Sequence, residues 1–231
     1  MARPDLAVKM GGKVWRDREG LAWTDPARPE VRNYNLDIAE EAARNGFDEI
    51  QFDYVRFPDA LGLAYSIPNN QEGRLQAISR FFVEARKRLA PYNVFLAADI
   101  FGYVCWNLND TCIGQKLETL APLVDYMCPM LYPSGFQFGI PGYRMPVAHP
   151  YEIVNLSLDN ARQRAGVSTL HFRPWLQAFR DYAFDHHVFG PVQIGDQIRA
   201  AEVFGSDGWM LWNPHNVYSK EGLPQRPTLK K

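Results

Sequence analysis

Cysteine and histidine are scarce in this chain, with three and five copies among 231 residues. Cys105, Cys112 and Cys128 include no CxxC pair, and the histidines are too few and too scattered to complete a zinc site. We therefore predict no bound metal and no other cofactor. A disulfide between Cys105 and Cys112 stays open, although no other feature of the sequence supports it.

An excess of charge and a long hydrophobic run are lacking as well. The net charge of -1 provides no basic footprint for nucleic acid. No run reaches the length of a membrane span, and the opening MARPDLAVKM is not a signal peptide. As it stands, the sequence predicts a soluble, cytoplasmic protein with neither a nucleic-acid partner nor a transmembrane segment.

Aromatic residues, in contrast, are plentiful: they make up 13% of the chain, with six tryptophans and eleven tyrosines. Core packing is the simpler explanation. The alternative is a set of flat rings on which sugars stack.

Strand and helix patterns alternate along the chain, which is typical of a parallel sheet with helical crossovers. We predict strands over residues 49–55, 94–100, 124–131, 171–179 and 208–213. The helices lie between them, and one more precedes the first strand, beginning at the cap Asp25-Pro26 and ending at Gly46. We assign residues 1–231 to a single domain. An eight-stranded barrel has about 250 residues, so five strands indicate an open sheet or a barrel lacking its first strands.

The segment GFDEIQFDYVRFP, from Gly46 to Pro58, carries the first catalytic candidate. Side chains alternate along a strand, so Gln51 and Asp53 share one face. Polar groups at the carboxyl ends of parallel strands lie where α/β enzymes place their chemistry. Asp53 is therefore a candidate catalytic residue, Gln51 a hydrogen-bonding neighbour and Arg56 a ligand for a substrate hydroxyl or carboxylate. A simple ion pair between Asp53 and Arg56 is the alternative.

Asp99 ends the next predicted strand and is the natural partner of Asp53. Neighbouring parallel strands lie about 4.8 Å apart, so both carboxylates should reach one opening. Glycoside hydrolysis needs such a pair, one to protonate the leaving oxygen and one to attack or to activate water. Three loop acids remain alternatives to Asp99: Asp110, Asp181 and Asp185. Asp125 begins its strand, at the opposite end.

Later strand ends add candidate sugar ligands. A Trp ring stacks on the apolar face of a sugar, while amides bind its hydroxyls. On this basis we predict that the substrate is bound by Tyr132, Trp175, Gln177, Trp212 and Asn213, besides Gln51 and Arg56.

Five motifs together resemble a known family: GFDEIQFDYVRFP, AADIFG, VDYMCPMLYPS, RPWLQAF and GWMLWNP. They are similar, in the same order and from about Arg3 to Tyr218, to the DUF4015-like glycoside hydrolase domain, once catalogued only as a domain of unknown function. The resemblance implies a (β/α)8 TIM-barrel fold related to glycosidases. It makes 49–55 the fourth barrel strand and 94–100 the fifth, with Asp53 as nucleophile or charge-stabilising carboxylate and Asp99 as general acid/base.

The chain departs from the family at its N-terminus, where roughly three βα units have no counterpart. An incomplete barrel would leave unpaired strand edges, through which the chain could self-associate. Family members are often exported or anchored to a membrane, so a missing N-terminal segment would change the predicted location. Besides hydrolysis of a polysaccharide or glycan, two alternatives remain: a barrel remnant that binds carbohydrate without catalysis, and a fragment that folds only with a partner.

Overall fold

The computed structural model describes residues 3–224. The strands are β1 Lys9–Met10, β2 Lys13–Val14, β3 Glu49–Phe52, β4 Phe95–Phe101, β5 Tyr126–Met130, β6 Trp175–Gln177 and β7 Met210–Trp212. The α-helices are α1 Pro29–Arg44, α2 Gln71–Leu89, α3 Leu117–Leu120, α4 Pro150–Ala165 and α5 Pro191–Phe204. Strands and helices therefore alternate from β3 onward, as the sequence predicts.

Five of the strands form one parallel sheet in chain order, β3-β4-β5-β6-β7, and β1 and β2 form a separate antiparallel pair. The residues fall into two compact units. The first comprises residues up to 100 together with 107–126, and the second comprises 101–106 and the residues from 127 onward. The single domain over 1–231 stays a prediction.

In the first unit, helices α1 and α2 contact each other, and α1 contacts β3. Pro29 begins α1, and Gly46 follows its end with φ of 94°, a left-handed conformation that suits glycine. The side chain of Asn70 caps α2 by accepting a 2.8 Å hydrogen bond from the N–H of Gly73. Buried apolar residues of α2 supply much of this unit's core: Ile78, Phe81, Phe82, Ala85 and Leu89.

In the second unit, β6 pairs with both β5 and β7, and α4 packs against α5. Two side chains of α4 satisfy backbone carbonyl groups of the segment after β4. Asn160 donates to the carbonyl of Cys105 at 2.7 Å, and Arg164 donates to the same oxygen at 2.9 Å. Gly102 lies so close to its neighbours that an added Cβ would be 2.5 Å from the carbonyl oxygen of Met130.

Several sequence-based boundaries need correction. Strand β4 is displaced by one residue, and β5 and β7 are shorter than the predicted 124–131 and 208–213. Three further boundaries differ for a local structural reason. The first helix begins at Pro29, because Asp25 to Arg28 form a turn instead. Strand β3 ends at Phe52 rather than residue 55, because Tyr54 has a positive φ of 56° that an extended strand does not allow. Strand β6 spans only Trp175–Gln177, since Thr169–His171 forms a 3-10 turn.

Two further observations concern the cysteines and the helices. No disulfide joins Cys105 and Cys112, so the pairing considered from the sequence is not formed. Among residues 3–224, no helix combines the length and the apolar character needed to cross a membrane.

Candidate active site

The carboxyl end of β3 directs neighbouring side chains to opposite faces. Phe52 packs against α2, with ring centroids 4.8 Å from Phe81 and 6.1 Å from Phe82. Gln51 takes the other face, where its amide Nε2 donates a 2.6 Å hydrogen bond to Oδ1 of Asp99 on β4. The alternation expected from the sequence is therefore present, and it brings Gln51 and Asp99 together.

The register of β3 and β4 relates the two candidate carboxylates. Gln51 pairs with Ala97, and Phe52 pairs with Ala98. One residue further along the chain, Asp53 follows the end of β3 and Asp99 lies within β4, two residues before its end. The same register, continued by one residue, places both acids near the carboxyl ends of neighbouring parallel strands. Strand ends of this kind form the catalytic edge in α/β barrels.

Asp99 is buried, with 5% of its surface exposed. Its backbone carbonyl accepts a 3.2 Å hydrogen bond from the amide of Gln115, which also donates to the carbonyl of Val55 at 3.3 Å. Gln115 is itself buried. This amide thus holds the end of β4 and the segment after β3 at fixed positions.

Asp53 differs from Asp99 in its surroundings, because it follows the strand and is exposed. Its Oδ1 accepts the backbone N–H of Tyr54 at 2.7 Å. Partial burial of the carboxyl group raises the pKa of Asp53, and the Tyr54 N–H and the charge of Arg56 oppose this effect without cancelling it. A carboxyl group with a raised pKa keeps a proton at higher pH than usual, which is a property of a general acid.

The guanidinium of Arg56 lies against two aromatic rings. Its Cζ atom is 4.8 Å from the ring centroid of Trp23 and 5.2 Å from that of Tyr54, both within cation–π range. It also donates to the carbonyl of Phe57 at 3.2 Å. Burial lowers the pKa of Arg56. Stacking therefore fixes this side chain beside Asp53.

Asp53, Tyr54 and Arg56 line an open cleft of about 1100 Å³ in the first unit, whereas Gln51 and Asp99 are not among its lining residues. The sequence-based expectation that both carboxylates reach one opening is therefore not met by this cleft. Its lining includes Asp53, Tyr54 and Arg56, together with Trp15, Asp17 and Trp23 from the N-terminal segment. None of these N-terminal residues was among the site residues predicted from the sequence. Their signal was present as two tryptophans flanking the polar run RDREG, but no strand pattern placed that run near β3.

In the second unit, Tyr132 is half-buried and Gln177 is fully buried. Tyr132 packs edge-on against Phe179 with ring centroids 5.4 Å apart. Gln177 is 0% exposed, and its amide accepts from the Ser134 N–H at 3.0 Å and donates to Ser134 Oγ at 2.8 Å. This amide holds the loop after β5, so a contact of Gln177 with sugar stays a prediction and would need that loop to move.

Trp175 begins β6, whereas Trp212 ends β7 and Asn213 directly follows it. Trp175 therefore does not lie at the carboxyl end of its strand, where the candidate ligands were expected from the sequence. Trp175 and Trp212 pack edge-to-face at 6.1 Å, and Trp212 is 43% exposed. The side chain of Asn213 donates to the carbonyl of Ala178 at 2.6 Å and accepts the N–H of His215 at 2.9 Å. Of these residues, Trp212 offers the most ring surface to a ligand.

The alternative acids have structural partners. Asp110 is buried and forms a 2.6 Å ion pair with Arg74, and Asp125 pairs with Arg86 at 2.8 Å. Oδ1 of Asp181 accepts a 2.6 Å hydrogen bond from the Ser134 hydroxyl. Oδ1 of Asp185 lies 2.5 Å from Nδ1 of His187.

The pKa of Asp181 reflects competing influences. Burial raises the pKa, but the Ser134 hydroxyl and the N–H groups of Ala183, His186 and Phe184 lower it to about 2. Such a carboxyl group is a poor proton donor at neutral pH. Within the described part of the chain, no group of three His, Cys, Asp or Glu side chains could hold a metal ion.

Comparison with solved structures shows the fold. The glycoside hydrolase domain of PgaB (BpsB) from Bordetella bronchiseptica matches with a TM-score of 0.63 and 16% identity, over 89% of this chain and 62% of that one. A chitinase from Chromobacterium violaceum matches with a TM-score of 0.60 and 14% identity, over 91% and 78% of the two chains. The Group IV chitinase of Ostrinia furnacalis, in complex with allosamidin, matches with a TM-score of 0.55 and 12% identity, over 81% of this chain and 67% of that one.

The fold is therefore α/β, of the incomplete TIM-barrel type, and the chain spans 62% of the PgaB domain. A comparison with curated proteins finds no match. The family comparison matches residues 1–218 to DUF4015, described as "Putative glycosyl hydrolase domain". On the evidence of that match over nearly its whole length, the chain belongs to the DUF4015 glycosyl hydrolase domain family.

Proposed function

We propose that this protein is a glycoside hydrolase that cleaves a polysaccharide or glycan with the carboxyl groups of Asp53 and Asp99. The observation that carries the proposal is the shared register of β3 and β4, in which both acids lie near the carboxyl ends of adjacent parallel strands. Gln51, on the same face, is bonded to Asp99.

The surroundings of the two acids support a division of roles. Asp53 is exposed in the cleft, where a leaving glycosidic oxygen can reach it, and we assign it the role of general acid. The raised pKa of this carboxyl group is in the direction that favours the role. Asp99 is buried and accepts the Gln51 amide, and we assign it the stabilisation of the positive charge that develops on the sugar ring, which requires the ring to reach the face of β3 on which Gln51 lies. Water then attacks the anomeric carbon and gives its proton to the Asp53 carboxylate, which restores the acid. This division reverses the roles expected from the sequence, where Asp53 was the nucleophile or stabilising carboxylate.

In the second unit, we propose that Trp212 binds sugar, because it is the most exposed of that unit's candidate ligands. Trp175 packs edge-to-face against it and supports the ring. Gln177, Asn213 and Tyr132 are proposed to keep the strand ends in place, because their side chains contact the protein itself.

The likeness to chitinases suggests the first substrates to test. The experiment incubates the protein with hexamers of β-1,4-linked N-acetylglucosamine, of β-1,4-linked glucose and of β-1,3-linked glucose, and follows the products by mass spectrometry. We expect cleavage of at least one hexamer. Asp53→Asn should reduce its rate by about 10²–10⁴-fold, the usual contribution of a general acid.

Asp48→Asn is the matched control, because Asp48 is exposed at the other end of the same strand. It should leave the rate unchanged. Undiminished hydrolysis by Asp53→Asn would refute the proposal. Binding of a hexamer without hydrolysis by the native protein would instead favour a carbohydrate-binding protein without catalysis.

A further inference from the structure

The N-terminal segment places two tryptophans beside the end of β3. The N–H of Val8 donates to the carbonyl of Trp23 at 2.9 Å, and the N–H of Trp15 donates to the carbonyl of Val8 at 2.9 Å. The two indole rings lie 6.3 Å apart. Backbone pairing therefore holds both rings in the lining of the cleft.

Asp17 fixes the orientation of Trp23. Its Oδ2 accepts the indole N–H of Trp23 at 2.9 Å, and its Oδ1 accepts the N–H groups of Glu19 and Leu21, both at 2.9 Å. These hydrogen bonds close the loop between the tryptophans. The hydrogen bond from Trp23 is also the main reason that the pKa of Asp17 is lowered.

Tyr54 completes the surface from the other side. Its ring meets that of Trp23 edge-on at 6.0 Å, yet 65% of the residue is exposed. The φ of 56° is unfavourable for a bulky residue and typical of a strained functional turn. Packing within the fold therefore does not explain why a large aromatic side chain is held here. We call Trp15, Trp23 and Tyr54 the aromatic wall.

Arg56 adds a polar group with unused hydrogen-bonding capacity. Its guanidinium is stacked on Trp23 and Tyr54, and it has five N–H donors. Among residues 3–224 it donates a single hydrogen bond, to the carbonyl of Phe57. A ligand oxygen in the cleft can therefore accept from a guanidinium whose position is already fixed.

We infer that the aromatic wall and Arg56 form a sugar-binding subsite, in which a pyranose ring stacks on Tyr54 and Trp15 while Arg56 donates to a ring substituent. The inference rests on the proposed function, because Asp53 directly precedes Tyr54 and would act on the bond next to the bound sugar. Flat rings with a directed donor suit a sugar, which has one apolar face and polar edges.

The charges around the aromatic wall argue against nucleic acid as the ligand. Acidic and basic residues both line this cleft, among them Asp17, Arg18 and Glu19. A nucleic-acid site would show a basic excess, whereas phosphate groups would here meet the carboxylates of Asp17 and Asp53.

The test measures binding separately from hydrolysis. In the Asp53→Asn background, isothermal titration calorimetry determines the Kd for the three hexamers named above. Tyr54→Ala and Trp15→Ala should each weaken binding of the preferred hexamer by about two- to tenfold, the range measured for aromatic contacts. Arg56→Met should reduce the discrimination between hexamers, because the donor to the ring substituent is lost.

Two variants control for folding and for ring chemistry. Tyr34→Ala removes an equally exposed tyrosine on α1, outside the cleft, and should leave the Kd unchanged. Tyr54→Phe keeps the ring and should bind nearly as well as the parent. Thermal unfolding verifies that each variant is folded.

The outcomes separate this inference from the proposed function. A Kd unaffected by both alanine variants, or no binding of any hexamer by the parent, overturns the inference. If the Kd is unaffected by both alanine variants but Asp53→Asn loses hydrolysis, the proposed catalytic role of Asp53 is still supported. Conversely, full hydrolysis by Asp53→Asn together with weakened binding by the alanine variants would refute the catalytic role and retain the subsite.

Discussion

Gln51 donates a 2.6 Å hydrogen bond from Nε2 to Oδ1 of Asp99, across the neighbouring strands β3 and β4. The acceptor is a buried carboxyl group, for which each protein donor replaces hydration lost on folding. Two candidate site residues thus depend on each other for their positions.

Gln51→Leu removes this donor while keeping a side chain of similar size. We expect the free energy of unfolding to fall by about 1–3 kcal/mol, the penalty for a buried polar group that loses a partner. Urea denaturation measures the change. Gln76→Leu, at an exposed position on α2, should change stability by less than about 0.5 kcal/mol. Equal effects of the two variants would contradict the importance of the Gln51–Asp99 bond.

Arg56→Met removes the positive charge near Asp53 while keeping an apolar stem over the rings. Because the charge of Arg56 lowers the pKa of Asp53, we expect that pKa to rise further in the variant. If Asp53 is the general acid, the alkaline limb of kcat/KM moves to higher pH. Titration of the Asp53 carboxyl group by ¹³C NMR provides the same test without a substrate. Arg80→Met, on the exposed face of α2, should shift neither quantity.

Asp181→Asn tests the buried network after β6. The folded-state pKa of about 2 lies below the ordinary 3.8, so the stabilisation is complete above about pH 5 and is lost as the pH falls toward 2. We expect the variant to be less stable by about 2 kcal/mol at neutral pH. The difference from the native protein should shrink below pH 4. Glu202→Gln, exposed on α5, should change the stability at neutral pH by less than about 0.5 kcal/mol.

Strand β3 is the first in the sheet order and has one parallel neighbour among the described residues. A free strand edge is a template for pairing with another chain. Self-association through such an edge remains a prediction, and we expect the sedimentation coefficient to rise with protein concentration. A constant monomer value across the accessible range would show that the edge does not pair.

The part of the site that follows from local pattern was predictable. Period-two alternation placed Gln51 and Asp99 on matching faces of β3 and β4, and the hydrogen bond between them confirms it. The expectation that Asp53 shares this face stays a prediction, because β3 ends at Phe52. The family motifs predicted the incomplete barrel type. These features depend on residues close in sequence or on a well-defined strand pattern, so the sequence alone contains them.

What could not be predicted depends on contacts between distant segments. The amide of Gln177 was expected to meet sugar, but Ser134, on a loop 43 residues earlier, bonds to it. Trp23 reaches the end of β3 through the turn held by Asp17, which has no strand or helix periodicity. The left-handed Tyr54 likewise ended β3 early, although tyrosine usually favours strands.

The three cysteines differ sharply in accessibility. Cys105 and Cys128 are buried, and burial raises the pKa of Cys105 to about 12, whereas Cys112 is exposed. Thiolate chemistry requires both access and deprotonation. A maleimide dye should therefore label the native protein at Cys112 alone. Cys112 belongs to the first unit, so fluorescence studies of that unit need no cysteine removed by mutagenesis.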